Sequence, residues 1–135
     1  LTEKLRLELP RSDAAPRLAR ERVAAWAGAD LDGRELADAK LLVSELVTNA
    51  LVHGDGRIAL GAQVDENRLL VEVIDEGVGF EHVVRERDFD QVGGRGLNVV
   101  DAVASRWGIH DGSSHVWFEL ERRGPHLAAS LRDPG

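Results

Sequence analysis

A chain of 135 residues, 43% hydrophobic and 30% charged, has the length and balance of one globular domain with a core of its own. It has no cysteine, which excludes disulfides and thiolate metal sites, and its five histidines fall at no spacing suited to structural zinc. A formal charge of -7 speaks against a nucleic-acid partner, and no apolar run approaches the roughly 20 residues of a membrane span, so the default location is the cytoplasm.

Taken in order, Leu5-Arg6-Leu7-Glu8-Leu9 alternates apolar and charged residues, the period of a half-buried strand, and Pro10 ends it. Ser12-Asp13 offers an N-cap and Pro16 a first-turn proline, which predicts a helix from Ala14 to Ala27. Leu18, Val23, Trp26 and the alanines form its expected buried stripe, with Arg17, Arg20, Glu21 and Arg22 solvated. After the Asp30-Leu31-Asp32-Gly33 turn, no Pro or Gly interrupts the chain between Leu36 and His53, and Gly54 supplies a helix stop. Ile58–Val64 and Arg68–Asp75, joined through Asp65-Glu66-Asn67, read as a hairpin. In its second strand Leu69, Val71 and Val73 share one face, and Leu70, Glu72 and Ile74 the other.

From Gly77 to Gly94 periodicity is lost, and a gap of that length in a compact domain is usually functional or mobile. Helical spacing returns from Leu97 to Ala104, and Trp107–Ile109 and His115–Leu120 read as strands around Asp111-Gly112-Ser113-Ser114. The tail from Gly124 to Gly135 gives only weak signals. Adjacent strand pairs favour antiparallel pairing. The expected class is therefore α/β (α+β): one domain over residues 1–135, a two-layer sandwich whose mixed, mostly antiparallel sheet is covered on one face by helices.

Three pieces carry chemistry. On the central helix Glu45, Asn49 and His53 fall at successive i, i+4 positions within an apolar run, where a carboxylate and an amide need polar partners. The second piece is Asp75-Glu76-Gly77-Val78-Gly79-Phe80 at a strand end, and the third is Gly93-Gly94-Arg95-Gly96-Leu97 at a helix start. The set suits a nucleotide. A fixed aspartate can accept a hydrogen bond from an exocyclic amine, and Gly77 and Gly79 let the backbone approach a flat ring. Glycines before a helix offer free N–H groups to phosphates. Asn49 presents an oxygen suited to Mg²⁺, and Glu45 could polarise a hydroxyl or water attacking the terminal phosphate. His53 reads as a helix-end residue, and the three tryptophans as packing residues.

In this order and spacing the pieces resemble the N, G1 and G2 boxes of the GHKL ATPases, which have the Bergerat fold. Ser44-Glu45-Leu46-Val47-Thr48-Asn49-Ala50, Gly94-Arg95-Gly96-Leu97, Arg106-Trp107-Gly108 and Val116-Trp117-Phe118 are most similar to one branch. That branch is the bacterial anti-sigma factor serine kinases and their relatives, including ATP-binding modules fused to PP2C-type phosphatases. The resemblance runs from Leu5 to Leu120. It implies that Asn49 binds Mg²⁺, Glu45 is the catalytic base, Asp75 recognises the adenine amine, and Gly77 and Gly79 shape the adenine pocket. Glu81–Gly94 would be the ATP lid, Gly94 and Gly96 would cradle phosphates beside Leu97, and Ser114 would support the adenine side. Arg95 has two readings, a phosphate contact or a solvent-facing residue.

The partners implied are a sigma factor, which the protein sequesters, and a STAS-domain anti-anti-sigma factor, which it phosphorylates on serine or threonine. A homodimer is a further expectation. No dimerisation helix with a phosphoacceptor His accompanies the boxes, which sets the chain apart from a complete sensor histidine kinase. A second reading, of a different class, is a nucleotide-gated binding module without turnover, such as the ATP-binding end of a PP2C-type phosphatase regulator. A third is a structural domain that binds no ligand.

Overall fold

The computed structural model describes residues 2–77, 95–110 and 114–122. Alternating stretches form strands β1 (Glu3–Leu9), β2 (Ile58–Val64), β3 (Arg68–Asp75), β4 (Arg106–His110) and β5 (Ser114–Glu121). Helical stretches form α1 (Ala15–Ala27), α2 (Gly33–His53) and α3 (Arg95–Val103). The strands make one sheet in the order β1-β2-β3-β5-β4, and every neighbouring pair is antiparallel. No parallel pairing occurs among the described strands, so the sheet is more uniform than the mixed one expected. The β2–β3 and β4–β5 pairs are sequence neighbours, and each reverses the chain direction across the sheet.

Period 2 decides which residues enter the core. Ile58, Leu60, Ala62 and Val64 of β2, Leu69, Val71 and Val73 of β3, and Val116, Phe118 and Leu120 of β5 are all buried in one cluster. Leu42, Val43, Leu46, Val47 and Ala50 of α2 join the same cluster, and α2 packs on both β3 and β5. Each such large side chain removed from water contributes about 1.5–3 kcal/mol before entropy is charged. The result is the two-layer α+β sandwich, with α2 as its central helix.

The helix ends depart from the sequence reading in instructive ways. α2 begins at Gly33 rather than near Leu36, because Asp32 and Glu35 form a capping box. The Glu35 amide donates to Asp32 Oδ1 at 2.7 Å, and the Asp32 amide donates to Glu35 Oε1 at 2.9 Å. The spacing Asp32-x-x-Glu35 was there to be read. In α1 the cap position is Ala14, without a side-chain cap; Ser12 lies two residues before it, where its hydroxyl accepts from the Ala14 amide at 3.3 Å.

The buried row of α1 is Ala15, Ala19, Val23 and Ala27, while Leu18 and Trp26 are only half-buried against the core. Small residues at the contact let α1 approach α2, against which it packs. Arg20, expected in solvent, is half-buried and donates to Ser44 Oγ at 2.9 Å. No helix among the described residues is long and apolar enough to cross a membrane.

The β2–β3 turn is held by Asp65, whose Oδ1 accepts from the amides of Asn67 at 2.8 Å and Arg68 at 3.0 Å. The Asn67 bond is the main cause that holds the Asp65 carboxyl below its usual range; slight burial opposes it, and the amide and charge of Arg68 add to it. A carboxyl whose folded pKa is depressed contributes stability above its unfolded pKa and loses it as pH falls through the folded value. Asp65→Ala should therefore be less stable than the parent at pH 7. In urea titrations the gap should narrow as pH falls through and below the ordinary carboxylate value of about 3.9. A gap that stays constant with pH would refute this role.

Candidate functional site

The polar row of α2 survives folding in part. Glu45 is half-buried and Asn49 is 7% exposed, one turn further along the same helix. Asn49 Nδ2 is buried without a hydrogen-bond partner among the described residues. A buried amide with unmet capacity costs free energy, and such an atom marks a place where a ligand or water completes the bonding. Turning the amide over would present oxygen instead of nitrogen at that position. Ser44 points the other way, toward α1, and its hydroxyl donates to Lys40 O at 2.8 Å. His53 ends the helix exposed to solvent, as its place near the C-terminal dipole suggests.

Beyond α2 the chain turns back and meets the end of β3. Asp75 is the last residue of β3, with Ile58 as its register partner on one side and Ser114 on the other. Its Oδ1 accepts from the amides of Gly77 at 2.7 Å and Asp55 at 3.3 Å. Glu76 adds two bonds to the same turn: its amide donates to Asp55 O at 2.8 Å, and its Oε1 accepts from the Arg57 amide at 2.8 Å. Gly56 makes the turn possible with φ of +66°, a region other residues enter only at a cost. At Gly54 the constraint is space. A Cβ there would lie 2.1 Å from Asp75 Oδ2 and 2.7 Å from Ala50 O.

Asp75 therefore spends one oxygen on the backbone, and its other oxygen lies against Gly54. An acceptor held this way is oriented before any ligand arrives. The residues expected at the phosphate side are described only in part. Arg95 and Gly96 open α3, which packs against α2, and Leu97 is buried in the core, where it anchors the first turn. Gly79, Gly94 and the whole of the expected lid, 81–94, lie outside the described residues.

The donor set suits a Mg²⁺ that arrives with phosphate and keeps its waters. Asn49 offers one amide, and no three His, Cys, Asp or Glu among the described residues converge on a metal position.

Sequence reading found the Glu45–Asn49 pair and Asp75, but not the joint that fixes them. Arg11, two residues past β1, donates to three main-chain carbonyls at that joint: Ala50 O at 3.1 Å, Leu51 O at 3.2 Å and Gly56 O at 2.7 Å. No local pattern announces such a residue, since its partners lie 39–45 positions away.

Residues 9–120 match the family described as histidine kinase-like ATPase domain. An anti-sigma F factor of Clostridium acetobutylicum is 36% identical over 89 residues, a match spanning 62% of this chain and 62% of that protein. An anti-sigma F factor of Thermoanaerobacter sp. is 46% identical over 71 residues, 48% of this chain and 49% of the relative. The chain thus matches less than two thirds of the length of these relatives. Among solved structures, the RsbU and RsbW domains of Rv1364c from Mycobacterium tuberculosis superpose with a TM-score of 0.65 at 24% identity. That likeness covers 90% of this chain and 32% of the other, and it speaks for the fold.

The packing at Gly54 yields a direct check. Gly54→Ala must displace the Asp75 carboxylate or the last turn of α2, an overpacking expected to lower stability by about 1–3 kcal/mol. Gly33→Ala, whose Cβ meets nothing within 4 Å, should be neutral or stabilising by up to about 1 kcal/mol in the same denaturant titration. Equal effects at the two glycines would contradict the close approach.

Proposed function

The chain belongs to the histidine kinase-like ATPase domain family, and from that premise we propose an ATP-binding anti-sigma factor that is also a serine/threonine protein kinase. The family makes this a nucleotide-binding fold. The finer reading rests on one observation. A half-buried carboxylate, Glu45, stands one turn before a buried amide, Asn49, with unmet bonding capacity, on a helix whose exit is joined to a pre-oriented Asp75.

In this reading Asp75 accepts a hydrogen bond from the exocyclic amine of adenine through the oxygen that its backbone bonds leave over. The start of α3 at Arg95 and Gly96, anchored by the buried Leu97, would face the phosphates, Gly94 would join them in binding, and Ser114 would support the adenine end. Asn49 would hold Mg²⁺, which when bound neutralises phosphate charge. Glu45 takes the proton from a serine or threonine hydroxyl as its oxygen bonds the terminal phosphorus. The bond from that phosphorus to the bridging oxygen breaks, its electron pair leaving with ADP. The hydroxyl belongs to a STAS-domain anti-anti-sigma factor, and the second partner is the sigma factor held when that antagonist is phosphorylated. The anti-sigma F factors among the relatives support this choice of partners.

The test is transfer of labelled phosphate from Mg·ATP to STAS-domain proteins of the same genome, followed beside nucleotide binding. Glu45→Ala should retain ATP and lose transfer by about 100-fold or more, the scale of a general base. Asn49→Ala should lose the Mg²⁺-dependent part of ATP binding. ATP binding with no transfer to any antagonist would replace the kinase by a nucleotide-gated binding module. An ATP affinity with equal metal dependence in Asn49→Ala and the parent would remove Asn49 from metal binding.

A further inference from the structure

We propose that Arg11 is a positioning residue for nucleotide binding. It ties the end of α2, next to Asn49, to the turn that holds Asp75, and so fixes the span between the phosphate and adenine ends of the site. The inference rests on the nucleotide reading above and adds a residue outside the three boxes.

The pairing of β1 with β2 delivers Arg11 to its place. Leu9, the last residue of β1, is the register partner of Ile58, so the chain leaves the sheet beside the 54–57 turn. The guanidinium then meets three carbonyls that belong to two structural units. Nη2 and Nη1 donate to Ala50 O and Leu51 O, in the last turn of α2, where carbonyls have spare bonding capacity. Ala50 immediately follows Asn49, and its carbonyl also accepts from the Gly54 amide at 3.0 Å. Nε donates to Gly56 O at 2.7 Å. The residues flanking Gly56 are the ones bonded to the end of β3: the Asp55 amide reaches Asp75 Oδ1 at 3.3 Å, and the Arg57 amide reaches Glu76 Oε1 at 2.8 Å.

One planar group thus links Asn49's helix turn to Asp75's support. Its donors diverge in a fixed fork, so the three carbonyls are held at set separations. A lysine could not do this, because its donors radiate from one atom. All three partners are main-chain oxygens, and ordering a long, exposed side chain against them is entropically unfavourable without such a return. A positive group at a helix C-terminus is also favoured by the helix dipole. A ligand that spans both ends of the site feels the separation of Asn49 and Asp75, whereas a ligand confined to one end does not.

The test is titration of the parent, Arg11→Met and Arg11→Lys with Mg·ATP and, separately, with adenosine, alongside thermal unfolding. Methionine keeps most of the aliphatic stem and removes the donors. ATP affinity should fall about tenfold in Arg11→Met, the scale of a small misplacement, while adenosine affinity stays within about twofold. Arg11→Lys should recover part of the ATP affinity. Unchanged ATP affinity in both variants overturns the proposal. Equal losses for ATP and adenosine do so too, since that pattern marks general destabilisation. If Arg11→Met does not fold, Arg11→Lys decides on the same two ligands: weaker ATP with adenosine unchanged supports the role, and any other pattern refutes it. A parent that binds no ATP sinks the nucleotide reading and this inference together; a parent that binds ATP beside unaffected variants sinks only the role of Arg11.

Discussion

The end of α2 is closed against the end of β3 by short main-chain and side-chain bonds, and the placement of Glu45, Asn49 and Asp75 depends on that joint. Helices end with unpartnered carbonyls, and strands end with side chains free to wander. Here each problem answers the other. The turn after α2 gives its amides to the carboxylates of Asp75 and Glu76, and the carbonyls of the helix end are taken by Arg11 and by the Gly54 amide. Charged groups on main-chain partners make hydrogen bonds stronger than neutral ones. Two carboxylates and one guanidinium are therefore spent on geometry, and the proposed function assigns the amide of Asn49 and the second oxygen of Asp75 to the ligand.

The core makes that joint rigid. α2 is capped at its start by the Asp32–Glu35 box and pinned along its length by Leu42, Val43, Leu46 and Val47 against β3 and β5. A helix fixed at both ends and along one face cannot slide to satisfy the orphan Nδ2 of Asn49. Close-packed interiors relax only partly around such a defect. The cost of the buried amide is therefore retained by the fold, and in the proposed function a bound nucleotide would recover part of it.

Much of this was legible in the sequence where the information is local. The hairpin strands Ile58–Val64 and Arg68–Asp75 came out with their observed ends, because period 2 and a polar turn are written in neighbouring residues. The Glu45–Asn49 pair followed from helical spacing alone. Where the reading slipped, the competing signal was a nearby one, as with Asp32 and Glu35, which extend α2 by a turn, or Ser12, which shapes the approach to α1 without capping it. What could not be read depends on pairing across the chain. Arg11 looks like any surface arginine until β1 lies beside β2, and Gly54 looks like a helix stop until Asp75 is packed on it.

The proposed function depends most on Asp75 accepting a hydrogen bond from an exocyclic amine within a nucleotide-binding fold. Calorimetric titration of the chain with Mg·ATP and with Mg·ITP isolates that contact, because inosine replaces the amine donor with a carbonyl oxygen. A site built around a hydrogen bond to one group rejects an analogue that cannot make it, so ITP should bind at least about tenfold more weakly than ATP. Asp75→Asn, whose amide can donate to that carbonyl, should narrow the difference. Equal affinities for ATP and ITP in the parent, or no binding of ATP at all, would contradict the account.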